Sequence, residues 1–489
     1  MNQQGSLFKN LETSDESLKG KFQYSLLLSA VGDSLGWYLE FKNKKPENTI
    51  ENYKRWKKLV GGRWWGYEDE IKEGEYSDDT QLMLAISRSI KTNLSFDPNY
   101  FAYLELPLWL SYERGGGKTV KTAARSLLKK NTQWFSNIFK TKDISYISSG
   151  ANGAAMRNLP IALIHNKDIE SFFEDTFKNT IITHGHPRAL IGALNIGYAQ
   201  IFLLNKNSQS FNAKEFIDFI LDNLAKSLNL LKEKINHIKC LNQWYTTLLK
   251  KYQYDYINEF NKFIKESYIF NRKILDFLNK EDIEFYNFTK ALSPKYKGSG
   301  TSTVAVAIYM FLKYIENPEK IIIETSNFVG SDTDTISSFS GSLIGSFFGE
   351  EISKNKKLTD LIVHLQDRNY ISNIGITLFD YFSNKLNIAS KYIVDKKEAL
   401  LKIMAWELGL HEMFWDALKE GDNIVHPTLG KGIILEKFMK PIKNRQDYIV
   451  KLVYIKFETG QTAYFHSRVS MDSKEVKDSL SKYIENVLS

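Results

Sequence analysis

Residues 330–350 read GSDTDTISSFSGSLIGSFFGE, and this stretch predicts a core helix that begins directly after an acidic turn. Gly341, Gly345 and Gly349 recur every four residues. Residues four apart lie on the same side of a helix, one turn above another. The spacing therefore predicts that this helix packs closely against a neighbouring helix.

Helical spacing extends outward from this stretch through most of residues 21–400. Apolar residues recur there at intervals of three and four, and alternating strand patterns are scarce. We predict one all-α domain, made of residues 21–204 and 296–400. Residues 205–295 contain almost no Gly, which predicts a helical insertion. This insertion is either a peripheral cap without chemistry or a lid that selects substrates.

The composition changes near Gly421. Three short segments are rich in β-branched and aromatic residues and are separated by glycines: 432–435, 448–457 and 462–465. Four or five short strands fit into this region, which predicts a small SH3-like β-barrel. A polar helix would end this second domain, at residues 421–489. We expect a linker helix at residues 401–420 and a polar N-terminal extension at residues 1–20.

Composition and charge restrict the class of protein. With 43% hydrophobic and 25% charged residues, wholesale disorder is excluded. The single cysteine cannot form an internal disulfide, which indicates a reducing compartment. Neither a signal peptide nor a membrane span is evident, so we expect a cytosolic protein without a membrane partner. The net charge of +8 permits a nucleic-acid partner without requiring one.

Two short acidic motifs each precede a predicted helix. Their polar residues are Ser77, Asp78, Asp79 and Thr80 in the first, and Asp332, Asp334 and Thr335 in the second. One interpretation is N-capping, in which such side chains bind free backbone N–H groups. The other is a metal site, because carboxylate and hydroxyl oxygens are the ligands that Mg²⁺ and Mn²⁺ prefer. Both interpretations stay open at this stage.

Two loops of small residues also enter predicted helices. They are SGANGAAMR at 149–157 and RGGGKT at 114–119. Exposed backbone N–H groups at such turns suit phosphate or ribose oxygens, although simple flexible turns have the same composition. A P-loop is excluded, because its upstream glycine would fall at Tyr112. His184 and His186 share a loop, but a zinc site would need further ligands nearby.

Taken in order, five motifs resemble the ADP-ribosylglycohydrolase family. They are GDSLGWYLE (32–40), SDDT (77–80), GANGAAMR (150–157), THGHP (183–187) and GSDTDT (330–335). The resemblance covers roughly residues 20–200 and 296–350. It implies a compact all-α domain with two Mg²⁺ ions at the floor of a cleft, or Mn²⁺ in their place. Ser77 stands where many relatives have Thr, and the hydroxyl is retained.

The resemblance also implies roles for individual residues. The implied metal ligands are Ser77, Asp78, Asp79, Asp332, Asp334 and Thr335. Glu40 would be the catalytic carboxyl group on a mobile flap above the metals, acting on either the leaving group or the water, together with Asp78, Asp79 and Asp334. The residues implied to hold ADP-ribose are Gly115, Gly116 and Gly117 on the phosphate side, Ser149, Gly150, Asn152, Gly153 and Met156 in the second loop, and His184 at the cleft edge.

The implied reaction is Mg²⁺-dependent hydrolysis of the ribose C1″ linkage in an ADP-ribosylated protein or nucleic acid. Its transition state would resemble that of glycoside hydrolysis. Two alternatives are kept: an ADP-ribose-binding or toxin-blocking immunity module with little catalysis, and a metal-dependent phosphoesterase. The acceptor stays open among Arg, Ser and a nucleic-acid base.

The C-terminal region carries a second, shorter resemblance. Residues 425–434 (VHPTLGKGII) resemble the start of the small β-barrel at the end of some bacterial DNA helicases. This implies contact with a protein or a nucleic acid, with a purely structural appendage as the alternative. Five basic residues lie close together there: Lys431, Lys437, Lys440, Lys443 and Arg445. We expect the strands to bury their own faces, so that the helical domain would not need them.

Overall fold

The computed structural model describes residues 15–42, 44–61, 66–385, 394–410 and 417–470. Its helices are α1 (Asp15–Glu40), α2 (Asp78–Arg88), α3 (Lys118–Leu127), α4 (Leu159–Ile164), α5 (Ile169–Ile181), α6 (Pro187–Leu204), α7 (Ala213–His237), α8 (Lys239–Tyr252), α9 (Tyr256–Phe277), α10 (Asp282–Phe288), α11 (Gly300–Lys313), α12 (Pro318–Ser326), α13 (Thr333–Phe348), α14 (Lys356–Val363), α15 (Arg368–Phe382) and α16 (Lys396–Gly409). Short helical turns lie at Pro98–Tyr100 and Leu106–Trp109, with a π-helical turn at Phe101–Glu105 between them. The predicted helical domain is confirmed, except that an antiparallel hairpin lies within its range, at Trp56–Val60 and Tyr67–Ile71.

Helices α1 and α13 form the centre of the domain, with their backbones in close contact. A Cβ atom added at Gly341 would lie 2.0 Å from the Leu28 carbonyl oxygen. One added at Gly32 would lie 2.1 Å from the Ser337 carbonyl oxygen. The close packing predicted from the glycine spacing is therefore confirmed. This packing places the C-terminal end of α1 beside the N-terminal end of α13.

The first turns of α1 correct one predicted boundary. Residues 15–20 belong to this helix, and Leu18 is buried in the core. They were expected in a polar extension, but the apolar side chain of Leu18 anchors them to the domain. The preceding residues of that extension, 1–14, lie outside the described part.

The insertion forms a helical layer on one side of the domain. Helices α7 and α9 pack on α6, and α9 and α10 pack on α11, whereas α8 packs on α7 and on the helical turn at Trp134–Ser136. Trp244 of α8 donates from Nε1 to the Tyr146 hydroxyl at 2.9 Å, which ties the layer to the loop before the second glycine-rich motif. The predicted helices are confirmed, and the choice between a cap and a lid stays open.

Helix α6 is long and apolar enough to pass a composition test for a membrane span. However, 94% of its apolar window is buried inside the protein. It lies between the insertion and α11, where apolar side chains are needed all round the helix. The helix therefore has the burial of a core element.

The C-terminal strands form a curled antiparallel sheet, a half-barrel, in the order β3 (Asn423–His426), β4 (Gly430–Ile442), β5 (Arg445–Phe457) and β6 (Thr462–Ser470). A separate hairpin, β1 (Trp56–Val60) with β2 (Tyr67–Ile71), lies near its β4 strand. The predicted small β unit is confirmed as this half-barrel, while its SH3-like character stays a prediction. The predicted terminal helix lies outside the described residues.

The half-barrel shares a hydrophobic core with the helical domain. Phe465 of β6 lies 4.9 Å from Trp406 and 5.4 Å from Tyr112, measured between ring centres. Asp367 accepts hydrogen bonds from the backbone N–H and hydroxyl of Thr462, at 3.0 and 2.8 Å. The expectation that the strands bury their own faces is therefore wrong, because an open sheet leaves one face to be covered by the helices.

Candidate active site

The two acidic motifs meet at the ends of three helices. Helix α2 begins at Asp78 and α13 begins at Thr333, directly after Asp332. The end of α1 lies beside both starts and contributes Glu40. The side chains that the sequence analysis grouped as metal ligands are thus brought together by helix packing.

Asp33 of α1 fixes the start of α2. Its carboxylate accepts from the backbone N–H groups of Ser77, at 3.1 and 3.2 Å, and of Thr80 at 3.1 Å. It also accepts from the Thr80 hydroxyl at 2.6 Å. Burial raises the pKa of Asp33 to about 7. Asp33 belongs to the GDSLGWYLE motif, which by itself did not indicate this positioning role.

The N-cap interpretation holds for Ser77 alone. Its hydroxyl oxygen accepts from the Asp79 backbone N–H at 3.3 Å. Within the described part of the chain, the buried Oδ2 atom of Asp79 has no hydrogen-bond partner. Asp332 occupies the N-cap position of α13 without a side-chain capping bond. Capping therefore does not explain why these aspartates are present.

Glu40, Asp332 and Asp334 form the tightest part of the cluster. Each offers a carboxylate oxygen, and these oxygens lie within 4.8 Å of one another. Asp332 accepts from the Asn152 side-chain amide at 2.7 Å. Glu40 is the last residue of α1, so the structure places the expected flap acid on a helix end beside the other carboxylates.

Burial and mutual repulsion make this cluster strongly unfavourable when fully charged. Burial, followed by the nearby charge of Asp334, raises the pKa of Asp78, Asp79 and Glu40 well above the usual range. The same two effects raise the pKa of Asp332 to about 7. A bound cation would relieve this repulsion and let the carboxylates ionise.

Two lysines lie near the cluster. Lys297 donates from Nζ to the Glu40 carbonyl oxygen at 2.8 Å. Lys58, in the middle of β1, is influenced by the charges of Glu40, Asp78 and Asp334. Sequence reasoning missed both lysines, because neither belongs to a recognisable motif and only tertiary packing brings them here.

The first glycine-rich loop borders the start of α2. Gly115 has φ +100°, a backbone conformation that favours glycine, and a Cβ there would lie 3.0 Å from Oδ1 of Asp78. Gly116 packs against Trp109, and Gly117 precedes α3. The loop thus lies next to the acidic cluster, and its predicted contact with the phosphates stays a prediction.

The second loop lies on the other side of the cluster. Ser149 lies 3.4 Å from the Thr119 hydroxyl, which links the two loops. Asn152 donates its backbone N–H to the Gly298 carbonyl oxygen at 2.9 Å, and Gly150 accepts from the Gly300 N–H at 3.1 Å. These bonds hold the loop in place with Asn152 directed at Asp332.

Residues behind this loop support it. His184 is 1% exposed, and a Cβ on Gly153 would lie 2.9 Å from the imidazole Cε1. Burial lowers the pKa of His184 to about 3, so the ring is neutral. The expectation that His184 lies at the cleft edge is wrong, because its ring packs beneath the loop. Met156 is also buried there, and Arg157 donates to the Gly153 carbonyl oxygen at 2.7 Å.

All the predicted residues therefore lie in or around one site, although not all of them face it. The acidic residues and the two glycine-rich loops converge, and Thr335 lies in the first turn of α13. His184 and Met156 act from behind the second loop. The individual roles taken from the resemblance stay predictions.

Comparison with known proteins agrees with this arrangement. A sequence model of the family described as ADP-ribosylglycohydrolase matches residues 14–384. The chain is 33% identical over 172 residues to the ADP-ribosyl-[dinitrogen reductase] glycohydrolase of Rhodospirillum rubrum. That match covers 34% of this chain, and it spans only 52% of the relative's length.

Two further similarities are more extensive but more distant. The chain is 24% identical over 360 residues to the ADP-ribosylhydrolase ARH3 of Xenopus tropicalis, covering 69% of this chain and 90% of that protein. Among solved structures, a chain of an ADP-ribosylglycohydrolase-related protein complex is similar with a TM-score of 0.48 and 15% identity. That similarity covers 75% of this chain and 99% of the other.

Proposed function

The chain belongs to the ADP-ribosylglycohydrolase family, and from that premise we propose that it hydrolyses the ribose C1″ linkage of an ADP-ribosylated macromolecule with the help of bound Mg²⁺. The observation that carries this proposal is the buried carboxylate cluster at the two helix starts. Its Asp79 Oδ2 has no hydrogen-bond partner in the described structure, and three of its carboxylates approach within 4.8 Å. An ADP-ribose-binding scaffold would not need so unfavourable a group of charges.

The residues fit a site for two divalent cations. Ser77, Asp78 and Asp79 would bind from the start of α2. Asp332, Asp334 and Thr335 would bind from the start of α13. These are hard oxygen ligands, which suit Mg²⁺ and also Mn²⁺. When bound, such ions would orient the ribose hydroxyls and polarise water near C1″.

The protein's own residues would supply the remaining chemistry. Glu40 lies beside Asp332 and Asp334, where its carboxyl group can exchange a proton with water or with the leaving group. The backbone N–H groups of the loops at 115–117 and 149–153 would hold the phosphate and ribose oxygens. Asn152 would keep Asp332 oriented through the 2.7 Å hydrogen bond between them.

We propose an ADP-ribosylated protein as the substrate. Relatives are named for action on modified dinitrogen reductase and on ADP-ribosylarginine. We further propose that the half-barrel, with its short resemblance to helicase barrels, contacts the modified protein rather than a nucleic acid. Part of its basic patch is already engaged, since Lys440 lies 3.8 Å from Asp69 and Arg445 pairs with Asp447 at 2.7 Å.

The test is a panel of defined substrates: proteins ADP-ribosylated on Arg, proteins ADP-ribosylated on Ser, and ADP-ribosylated DNA. Released ADP-ribose is measured by chromatography with Mg²⁺, after EDTA treatment, and after Mg²⁺ is restored. We expect release that EDTA abolishes and Mg²⁺ recovers. Tight binding of ADP-ribose without release would contradict the proposal and favour the binding or toxin-blocking alternative. Release of phosphate from nucleotides would instead indicate a phosphoesterase.

A further inference from the structure

Lys58 is half-buried, and its Nζ atom is buried beside the end of α1 that carries Glu40. Its Nζ lies 4.1 Å from the centre of the Phe41 ring and 4.9 Å from that of Trp37. Its neighbour Lys57 is different: that side chain is 68% exposed, and its Nζ lies 3.4 Å from Glu68. Successive side chains of a strand point to opposite faces, so Lys58 points inward and Lys57 points to solvent.

The ammonium group of Lys58 is held by charge and by aromatic rings. Among the residues that the structure describes, its buried Nζ makes no hydrogen bond. Burial lowers the pKa of Lys58, and the acidic groups that act against this effect are Glu40, Asp78, Asp334 and Glu113. Trp37 and Phe41 flank Glu40 along the chain, so a cation over their rings lies at the end of α1 that carries this acid, a position suited to a counter-ion.

The hairpin that carries Lys58 is attached to the half-barrel. The Lys443 backbone N–H donates to the Gly66 carbonyl oxygen at 2.8 Å. Tyr67 of β2 packs in a small cluster whose other buried members are Ile442, Val450 and Leu452. Asp69 of β2 also accepts from Arg114 at 3.0 Å, next to the first glycine-rich loop. The inward position of Lys58 is therefore fixed from outside the site.

We propose that Lys58 is a resident counter-cation of the carboxylate cluster: it balances the acids in the metal-free protein and lowers the affinity for divalent metal. It is a positioning residue, which acts through the charge of the metal ligands. The effect on metal affinity rests on the proposed function, because that function supplies the metal. The physical reason is that a fixed positive charge near the cluster both attracts the carboxylates and repels an incoming cation.

The test compares Lys58→Met, which keeps much of the volume and removes the charge, with Lys58→Arg, which keeps the charge. Lys57→Met is the matched control from the same strand. Mg²⁺ and Mn²⁺ binding is measured by calorimetry without substrate, and thermal unfolding is measured in EDTA. We expect Lys58→Met to bind Mg²⁺ about tenfold more tightly and to unfold at a lower temperature in EDTA. Lys58→Arg and Lys57→Met should resemble the parent protein in both measurements.

Equal metal affinities in Lys58→Met, Lys57→Met and the parent would overturn the proposal. If the parent binds neither metal, the proposed function loses its metal site, and the unfolding comparison in EDTA still decides the role of Lys58. In that case an unfolding temperature of Lys58→Met equal to that of Lys57→Met would overturn it. Should Lys58→Met fail to fold, Lys58→Gln takes its place in both measurements.

Discussion

Asp334 has a strong electrostatic effect on the other acids of the cluster. Its charge is the first one that raises the pKa of Asp78, Asp79 and Asp332, after burial itself. Asp334→Ala should therefore weaken Mg²⁺ binding by more than ~100-fold, beyond the loss typical of outer-shell partners. The same change should stabilise the metal-free protein by about 1 kcal/mol, because it relieves like-charge repulsion.

Calorimetric Mg²⁺ titration and urea unfolding in EDTA check the two halves of this prediction. Asp276→Ala is the control, since that carboxylate is 58% exposed and pairs with Lys273 on the surface of α9. An unchanged Mg²⁺ affinity in Asp334→Ala would remove this residue from the proposed ligands.

Glu40 should matter for turnover more than for binding. Glu40→Gln keeps the size and one carbonyl oxygen, but its amide cannot act as a general acid or base. We expect hydrolysis to slow by ~10², the usual contribution of a general acid or base, with Mg²⁺ and ADP-ribose binding retained. Single-turnover measurements check this, with the exposed Glu73→Gln as the control. A normal single-turnover rate would make Glu40 a structural helix end.

At the residue scale, the sequence predicted the acids but not their surroundings. Asp78, Asp79, Asp332 and Asp334 were found because paired acids before a helix exceed what a cap requires. Lys58 could not be found in this way, since one lysine in a charged strand resembles any surface lysine. The burial of its Nζ atom depends on the rings of Trp37 and Phe41 and on the half-barrel against which its hairpin packs.

At the scale of elements, the contact between α1 and α13 sets the geometry of the site. Gly341→Ala should force these helices apart, because the added Cβ would lie 2.0 Å from the Leu28 carbonyl oxygen. We expect a loss of about 2 kcal/mol in the free energy of unfolding, within the range for overpacking. Metal affinity should fall as well, since α13 carries Asp332 and Asp334 at its start.

Urea unfolding and Mg²⁺ titration measure these two effects. Gly409→Ala is the matched control, because its added Cβ would meet no described atom within 4 Å apart from its chain neighbours and the backbone of its own helix. If Gly341→Ala is as stable as Gly409→Ala, the close approach of the two helices is not rigid. The site geometry would then not depend on it.

The elements were largely predictable, whereas their tertiary partners were not. The spacing of apolar residues indicated the helices correctly, and the change in composition near Gly421 located the strands. The spacing of Gly341 and Gly345 predicted close packing but could not identify α1 as the neighbour. Likewise, alternation along β6 showed a face to be buried without showing that helices of the larger domain cover it. Such partners are decided by contacts between residues far apart in sequence.

At the scale of the whole molecule, the half-barrel acts as a structural part of the helical domain. Phe465 contacts Trp406 and Tyr112 across the junction. Phe465→Ala should therefore cost about 3–5 kcal/mol in the free energy of unfolding, as for other buried aromatic residues. Met439→Ala, at a position 62% exposed on β4, is the control and should change stability little. Equal unfolding midpoints in urea would show that the half-barrel is loosely attached.

His426 makes this junction sensitive to pH. It is 1% exposed and lies between the rings of Trp406 and Phe465, at 4.5 and 5.4 Å. Its Nδ1 accepts from the backbone N–H groups of Thr428 and Leu429 at 3.2 and 3.1 Å, so the folded ring is neutral. Burial, and then the charge of Arg88, lowers the pKa of His426 well below its ordinary value of 6.5.

The direction of the pH effect follows from this lowered pKa. Below about pH 6.5 the unfolded chain binds a proton at His426, while the folded protein does not, so acid favours unfolding. The stabilisation that depends on a neutral His426 is fully present above pH 6.5, and up to about 2 kcal/mol of the free energy of unfolding is lost by pH 5.

The variant His426→Asn tests this effect, because it keeps an acceptor oxygen near the Nδ1 position but cannot titrate. We expect this variant to be less stable than the parent at pH 7. Its free energy of unfolding should nevertheless fall less than that of the parent between pH 7 and pH 5. Urea unfolding at both pH values, followed by tryptophan fluorescence, measures the difference, with the exposed His364→Asn as the control. If the parent and His426→Asn lose the same stability over this interval, the buried imidazole does not couple the junction to pH.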